Sequence, residues 1–215
     1  MEVAAVLEVV VPPAVDRLYF WALQASFGDG TRDLGAAHLG LQWNRGHPGA
    51  RAVNWGGYGP GGQVLAGSPS PLPSAPHDPN TRDYPWEPGR PYRLRISPAP
   101  GRTGRWQGEV TDLVTGRAAV VRHLEAGGDR LTSPIVWSEV FARCEHPTVK
   151  VRWSGLEALG VSGRRMAPRG LSVSYEPGTA GGCDNTTVLV EDLGVAQVTN
   201  TRRTVPAGAS IDLRR

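Results

Sequence analysis

The chain has few residues that could build a metal centre or a disulfide network. It contains 2 cysteines and 5 histidines among 215 residues. Cys144 and Cys183 lack the Cys-x-x-Cys spacing of a zinc site, and the histidines show no close pairing of the kind that holds zinc. The two thiols predict either a bridge, which would indicate an oxidising compartment, or two separate buried cysteines. We expect no cofactor and no metal bound through sulfur.

Lysine and long apolar runs are equally scarce. Lys150 is the one lysine among 23 basic residues, and the formal net charge is +3. The arginines alternate with apolar residues or stand beside turns instead of forming a stripe, which argues against nucleic acid as a partner. No apolar run reaches the roughly 18 residues that cross a bilayer, so no membrane partner is expected. Glu2 and Glu8 make the start of the chain unlike a signal peptide.

Turn-forming residues, by contrast, are abundant, with 28 glycines and 19 prolines. The segments between the turns alternate apolar and polar residues, as in Tyr92, Leu94 and Ile96 against Arg93 and Arg95, which is typical of half-buried antiparallel strands. The predicted strands lie near 3–11, 18–27, 37–44, 51–55, 62–66, 92–96, 105–112, 117–124, 134–142, 149–153, 170–175, 187–191, 194–199 and 208–213. This many short strands favours an all-β fold, an antiparallel β-sandwich of the jelly-roll type, with a closed β-barrel as the alternative.

The domain organisation follows from the same pattern. Hydrophobic residues make up 40% of the chain, enough for one core, and all-β domains of this length are common. We expect a single domain over residues 1–215, with a possible linker to terminal strands at 160–170. Repeated proline at 67–89 predicts a long surface loop, because proline removes backbone donors and fixes φ. Loops of this length are often functional, so an ordered lid or rim is favoured.

Five segments carry a family resemblance. They are His38-Leu39-Gly40-Leu41-Gln42-Trp43, Asn54-Trp55-Gly56-Gly57-Tyr58-Gly59, the strand from Trp86 to Leu94, the hairpin strand from Trp106 to Asp112, and Trp137-Ser138-Glu139-Val140-Phe141. Together they resemble a group of mostly exported actinobacterial proteins with a concanavalin A-like sandwich. The resemblance implies a lectin-like jelly roll and an extracellular location, with a cytoplasmic location as the alternative because no signal segment is visible. It implies no particular activity.

Strand alternation predicts a polar face that could bind a ligand. Leu39, Leu41 and Trp43 should share one side of their strand, and His38, Gln42 and Asn44 the other. Amides combined with aromatic rings suit sugar hydroxyls and apolar sugar faces. The candidate ligand-binding residues are Gln24, His38, Gln42, Asn44, Asn54, Tyr58, Trp86 and Trp137. We expect a glycan or another small molecule there, and the alternative is an ordinary solvated sheet face.

A small enzyme that uses the same concavity is the alternative function: a glycan lyase or hydrolase, or a cyclase or isomerase of an apolar natural product. Glu139 lies between Trp137 and Phe141 on one side of its strand, and desolvation there would raise its pKa, as a general acid requires. A nearby arginine such as Arg143 or Arg152 could instead neutralise it. The candidate catalytic residues are therefore Glu139, His38 and Tyr58.

One loop raises the possibility of calcium. Asp29 and Asp33 flank a turn, and carboxylate oxygens are ligands that calcium prefers. Two carboxylates supply too few oxygens for the ion, and aspartate in a glycine-containing turn commonly caps its own backbone. The second interpretation is the favoured one. The sequence does not predict an oligomeric state.

Overall fold

The computed structural model describes residues 1–74, 78–192 and 194–213 and consists almost entirely of antiparallel strands. The strands are β1 (Glu2–Val11), β2 (Tyr19–Gly28), β3 (Asp33–Trp43), β4 (Arg51–Tyr58), β5 (Thr81–Asp83), β6 (Pro91–Pro98), β7 (Arg105–Asp112), β8 (Ala118–Glu125), β9 (Arg130–Val140), β10 (Lys150–Leu159), β11 (Arg165–Met166), β12 (Gly170–Ser172), β13 (Thr187–Glu191), β14 (Gly194–Val198) and β15 (Ser210–Asp212). Single 3₁₀ turns occupy Pro48–Ala50 and Gly178–Ala180. In the part of the chain that the structure describes, no helix is long and apolar enough to span a membrane.

Two sheets pack against each other as a β-sandwich. The eight-stranded sheet has the order β13-β14-β10-β1-β6-β7-β8, with β11 paired to β10, and the five-stranded sheet has the order β5-β4-β3-β2-β9. A separate ribbon pairs β12 with β15. Within the described residues neither sheet closes on itself, so the sandwich is confirmed and the closed barrel is wrong.

Period-two alternation places the core between the sheets. In β2, Trp21 and Leu23 face inward, and in β6 Leu94 and Ile96 do the same from the opposite sheet. Five indole rings, those of Trp21, Trp55, Trp86, Trp106 and Trp153, are fully buried in this layer. Each large ring that leaves water contributes on the order of 2–3 kcal/mol of hydrophobic stabilisation, and aromatic residues dominate such cores.

The outer face of the eight-stranded sheet carries the arginines as ion pairs. Arg95 contacts Glu2 and Glu109, and Arg152 contacts Glu8 and Glu191. Opposite charges stand across neighbouring strands, which stabilises the pairing of those strands modestly. The alternation of arginine with apolar residues therefore marks a solvated sheet face, as the sequence predicts.

The described parts of the proline-rich segment, 67–74 and 78–89, pack along one side of the sandwich. Ser68 N–H donates to the carbonyl of His123 in the loop's contact with β8, and Asp83 N–H donates to Pro73 O beside β5. The segment thereby joins the open edges of the two sheets. It also contains the short strand β5, where the sequence predicts only loop. His77 belongs to this segment but lies outside the described residues.

Two other sequence predictions need correction. Residues 62–66 do not form a strand, and their pairing is limited to an isolated bridge between Tyr58 and Val64. The proposed linker at 160–170 is the turn of a hairpin, in which Ala158 pairs with Met166 and Gly160 N–H donates to Arg164 O. Glycine suits this turn, because the backbone reverses within a few residues.

Cys144 and Cys183 form a disulfide that spans 39 residues of sequence. The bond ties the loop after β9 to the segment that precedes β13. Of the two interpretations that the sequence allows, the bridged one is therefore correct. A disulfide is typical of proteins in oxidising compartments.

Candidate functional site

The polar face predicted from alternation exists, and it is the outer face of the five-stranded sheet. Strand register brings its side chains into three rows across β9, β2, β3 and β4. The first row is Glu139, Phe20, Gln42 and Ala52; the second is Trp137, Ala22, Gly40 and Asn54; the third is Ile135, Gln24, His38 and Gly56. Tyr58 follows on β4, opposite Ala36. We call this surface the polar face.

Small residues at the centre of the rows make the polar face concave. Ala22 and Gly40 are fully or almost fully buried beside their larger neighbours. At Gly40 a β-carbon would lie 2.0 Å from the carbonyl oxygen of Trp21, so no larger residue fits without moving the strands. The close approach of β2 and β3 therefore requires glycine at this position.

Three rings surround His38 on the polar face. The imidazole makes edge contacts with Phe20 at 5.4 Å and Trp137 at 5.7 Å between ring centroids, and Tyr58 lies at 6.5 Å. Burial lowers the pKa of His38 to about 4, because the charged imidazolium loses its hydration. Within the described residues its ring nitrogens have no hydrogen-bond partner. At neutral pH His38 therefore offers one donor and one acceptor without charge.

The amides of the polar face are held by their neighbours and keep part of their hydrogen-bonding capacity. Gln24 Oε1 accepts from Trp137 Nε1 at 3.1 Å, and Asn44 Nδ2 donates to Gln42 Oε1 at 3.0 Å. Asn54 Nδ2 donates to Thr81 Oγ1 at 2.8 Å, while the buried Asn54 Oδ1 has no partner in the described structure. The uncommitted groups are thus the amino groups of Gln24 and Gln42 and the oxygen of Asn54. They are both donors and acceptors, and all are neutral.

Glu139 is the one carboxyl group among the three rows. Although the residue as a whole is exposed, partial burial of its carboxyl group raises its pKa above the ordinary value. The arginine partners that the sequence suggests are engaged elsewhere, since Arg143 pairs with Glu145 and Arg152 with Glu8 and Glu191. In the described residues Glu139 makes no ion pair. Glu139 lies at the rim of the polar face, and the direction of its pKa shift is the one that a general acid requires.

The three candidate catalytic residues do not converge. Glu139 and His38 lie two strands apart, and their rows are separated by four residue steps along β2, from Phe20 to Gln24. At about 3.4 Å per residue the rows are roughly 14 Å apart. Tyr58 is near His38 and lies farther still from Glu139. A single small substrate could not contact all three groups.

Trp86 does not belong to the polar face. Its ring is fully buried between Trp21 and Trp43, and its Nε1 donates to the backbone carbonyl of Gln42 at 3.0 Å. The prediction that Trp86 contacts a ligand is therefore wrong, because the residue follows a loop and its orientation could not be inferred from strand alternation. Asn44 lies just beyond β3, and its side chain donates a hydrogen bond to the oxygen of the Gln42 amide.

A cavity of about 1700 Å³ opens at the polar face. It passes the edge of β9 and continues beneath the C-terminal segment, where Leu171, Val173 and Tyr175 form its far wall. No residue of 67–74 or 78–89 lines it, so the hollow is bounded by a segment that the sequence does not single out. The alternating apolar residues near 170–175 predicted a strand, but nothing in the sequence predicted which strand it would face.

The structure also assembles a polar cluster that the sequence does not predict. His47 Nδ1 lies 2.6 Å from Asp83 Oδ1 and 3.3 Å from Ser74 Oγ. Both contacts use the same ring nitrogen, whereas a catalytic triad needs one contact on each. The cluster therefore anchors the proline-rich segment to β5 and does not form a nucleophile.

The two carboxylates that suggested a calcium site accept hydrogen bonds from residues of their own turn. Asp29 accepts hydrogen bonds from the backbone and side chain of Thr31 and from Arg32, and these bonds lower its pKa. Asp33 Oδ1 accepts from Gly35 N–H. Among the described residues no group of three or more His, Cys, Asp or Glu side chains could hold a metal ion.

Comparisons with known proteins find likeness only at the level of the fold. No family model matches the sequence, and no curated protein matches it. Scytalido-glutamic peptidase, solved with a peptide-based transition-state analogue, has 10% identity over 93% of this chain and 91% of its own, with a TM-score of 0.45. SCP-B of the eqolisin family of peptidases, solved with a tripeptide, has 12% identity over the same shares and a TM-score of 0.46. Both are similar to this chain as β-sandwiches, and neither likeness carries an argument about activity.

Proposed function

We propose that the polar face binds a neutral, hydroxyl-rich ligand, most simply a short glycan. The observation that carries the proposal is the set of uncommitted, uncharged donors and acceptors on one concave face beside aromatic rings. Gln24 and Gln42 offer amide donors, and His38 offers both a donor and an acceptor. Sugar hydroxyls are donors and acceptors at once, and the exposed edges of Trp137 and Tyr58 can cover apolar sugar faces.

Charge supports this class of ligand over anionic ones. The three rows contain no arginine or lysine, although the chain as a whole carries 23 basic residues. The basic side chains on the opposite sheet are neutralised as ion pairs. A phosphate or nucleic-acid ligand would lack cationic partners on the polar face. The disulfide is consistent with a protein that meets its ligand in an oxidising compartment, and we propose an extracellular location on that ground.

Calorimetric titration with a panel of neutral oligosaccharides tests the proposal. We expect binding by the folded protein, and a decrease in affinity of about tenfold or more for Trp137→Ala and Gln24→Ala, because the first loses a ring contact and the second a hydrogen-bond donor. Gln107→Ala is the matched control, since Gln107 lies on the eight-stranded sheet opposite His123. If the folded protein binds no saccharide of the panel, or if Gln107→Ala weakens binding equally, the polar face is not a glycan site.

A second candidate function, a hydrolase, is favoured by Glu139 alone. Burial raises the pKa of the Glu139 carboxyl group, and within the described residues no ion pair lowers it, which is the direction that a general acid requires. Glu139→Gln keeps the size of the side chain and removes its proton transfer. We expect the variant to lose turnover of any glycoside or peptide that the protein cleaves, with an unchanged melting temperature. Equal rates for the variant and the native protein would exclude Glu139 as the acid.

A further inference from the structure

The outer edge of β9 carries backbone groups that no neighbouring strand uses. This strand ends the five-stranded sheet, and its only partner within the described residues is β2. Phe141 N–H, directly after the strand, donates to the carbonyl of Leu18 before β2. In an antiparallel ladder, hydrogen-bonded residue pairs alternate with pairs that are not hydrogen-bonded. The N–H and C=O groups of Glu139 and Trp137, two and four residues before Phe141, therefore also point toward β2. The N–H and C=O groups of Val136, Ser138 and Val140 consequently point away from the sheet.

A side-chain amide already occupies part of this edge. Gln197 reaches across from β14, and its Nε2 donates to the carbonyl of Val136 at 3.3 Å while its Oε1 accepts from the hydroxyl of Ser138 at 2.5 Å. This contact confirms which groups face outward. An added strand that pairs with Val136 must therefore displace the Gln197 side chain, whereas the outward backbone groups of Ser138 and Val140 have no partner in the described structure. In the described structure the N–H groups of Val136, Ser138 and Val140 have no partner.

The free edge borders the cavity described above, and we call this part of the cavity the slot. The cavity that begins at the polar face runs between β9 and the segment around Leu171 and Val173. Its walls combine unpaired strand backbone with apolar side chains, which is the pattern that an added strand needs: backbone bonds for affinity and apolar contacts for alternate side chains. Beside the edge, Ile135 and Phe141 remain exposed to solvent at 49% and 58%.

We propose that this slot binds an extended polypeptide segment by strand addition to Val136–Val140. The segment comes from another polypeptide in an unfolded or extended form. A single extended segment is the simpler occupant than the sheet edge of a second folded copy, because the C-terminal segment walls the slot opposite β9. Pro134 lacks an N–H, and Ser133 has a φ of 48°, so the pairing begins after these residues and spans about five positions. The site adjoins the proposed glycan site within one cavity but uses backbone groups at the sheet edge instead of the side chains of the polar face.

Amide hydrogen exchange gives the first test. In the free protein we expect the amides of Val136, Ser138 and Val140 to exchange much faster than those of Trp137 and Glu139. The probe is an octapeptide of alternating threonine and valine with a lysine at each end. Its addition should slow exchange at the three outward amides, by about tenfold or more at saturation, because they acquire hydrogen-bond partners. A version with every peptide nitrogen methylated is the control and should give no slowing.

Two variants at one position separate backbone pairing from side-chain effects. Ser138→Pro removes an outward N–H but leaves the ladder with β2 intact, and it should weaken octapeptide binding about fivefold to tenfold. Ser138→Ala removes the hydroxyl alone and should bind within about twofold of the native protein. Circular dichroism and melting temperatures establish that both variants fold. If the proline variant is unstable, the melting temperature of the native protein with and without the octapeptide gives an independent measure of binding, and the octapeptide should raise it.

Several outcomes would overturn the proposal. Outward amides that are already protected in the free protein would mean that the chain fills its own slot. Protection that rises with protein concentration and needs no peptide would indicate self-association. Equal binding of the methylated octapeptide would indicate apolar contact without strand pairing, and no protection at millimolar octapeptide would mean that no site exists. A loss of glycan binding with retained peptide protection would refute only the function proposed above.

Discussion

At the scale of single residues, His38 is the group whose environment most changes its chemistry. Three aromatic rings remove water from the imidazole, and the charged form is penalised because nothing nearby replaces the lost hydration. The residue type gave no indication of this, since a histidine elsewhere in the described structure has quite different surroundings. His47, for instance, contacts a carboxylate.

The lowered pKa makes a prediction about stability and pH. In the unfolded chain His38 takes up a proton near its ordinary pKa of 6.5, whereas in the folded protein it does so only near 4. Between these values the unfolded state binds more protons, so the stability of the folded state falls as the pH decreases from 6.5 to 4. Between pH 7 and pH 4, His38 should lower the free energy of unfolding of the native protein by on the order of 3 kcal/mol. In the His38→Gln variant this contribution should be absent, which urea unfolding at the two pH values measures. Equal pH dependence in both proteins would contradict the burial of the ring.

At the scale of elements, the close pairing of β2 and β3 sets the shape of the polar face. Gly40 lies opposite Ala22, and its missing side chain allows the hollow between the first and third rows. Larger residues here would fill the hollow and separate the strands. The concavity is therefore a property of two neighbouring strands, not of one residue.

Gly40→Ala tests this element directly. The added β-carbon would lie 2.0 Å from the Trp21 carbonyl oxygen, which is backbone and cannot rotate away. We expect a loss of roughly 2–3 kcal/mol in the free energy of unfolding. Gly178→Ala is the control, since nothing lies within 4 Å of its added carbon, and it should change stability by less than about 0.5 kcal/mol. Similar effects of the two substitutions would mean that Gly40 is not confined.

At the scale of the whole molecule, the disulfide holds the C-terminal segment against the rest. Cys144 follows β9 and Cys183 lies in the segment that covers the cavity, so the bond links the two walls of the slot. Its loss releases a constraint on a loop of 39 residues in the unfolded chain. The sandwich core is built from residues of both sheets and does not depend on the bond.

We expect the double variant Cys144→Ser and Cys183→Ser to fold and to lose roughly 3–4 kcal/mol of stability, because closing a loop of this length restricts the unfolded state. Urea unfolding with and without reductant provides the measurement. Reductant should reduce the stability of the native protein to about that of the variant and leave the variant unchanged. A reductant effect on the variant would point to another cause.

The sequence by itself determined most of the strands, with 62–66 and β5 as exceptions, and the polar sides on which Gln24, His38, Gln42 and Asn54 stand, because period-two alternation is a local property of the chain. It could not determine that Trp86 turns into the core, that the proline-rich segment closes an edge, or that the hollow lies beneath residues 166–175. Those features depend on which strands become neighbours. Tertiary structure alone decided them, since long-range pairing is set by the packing of the entire core and leaves no periodic trace in the residues concerned.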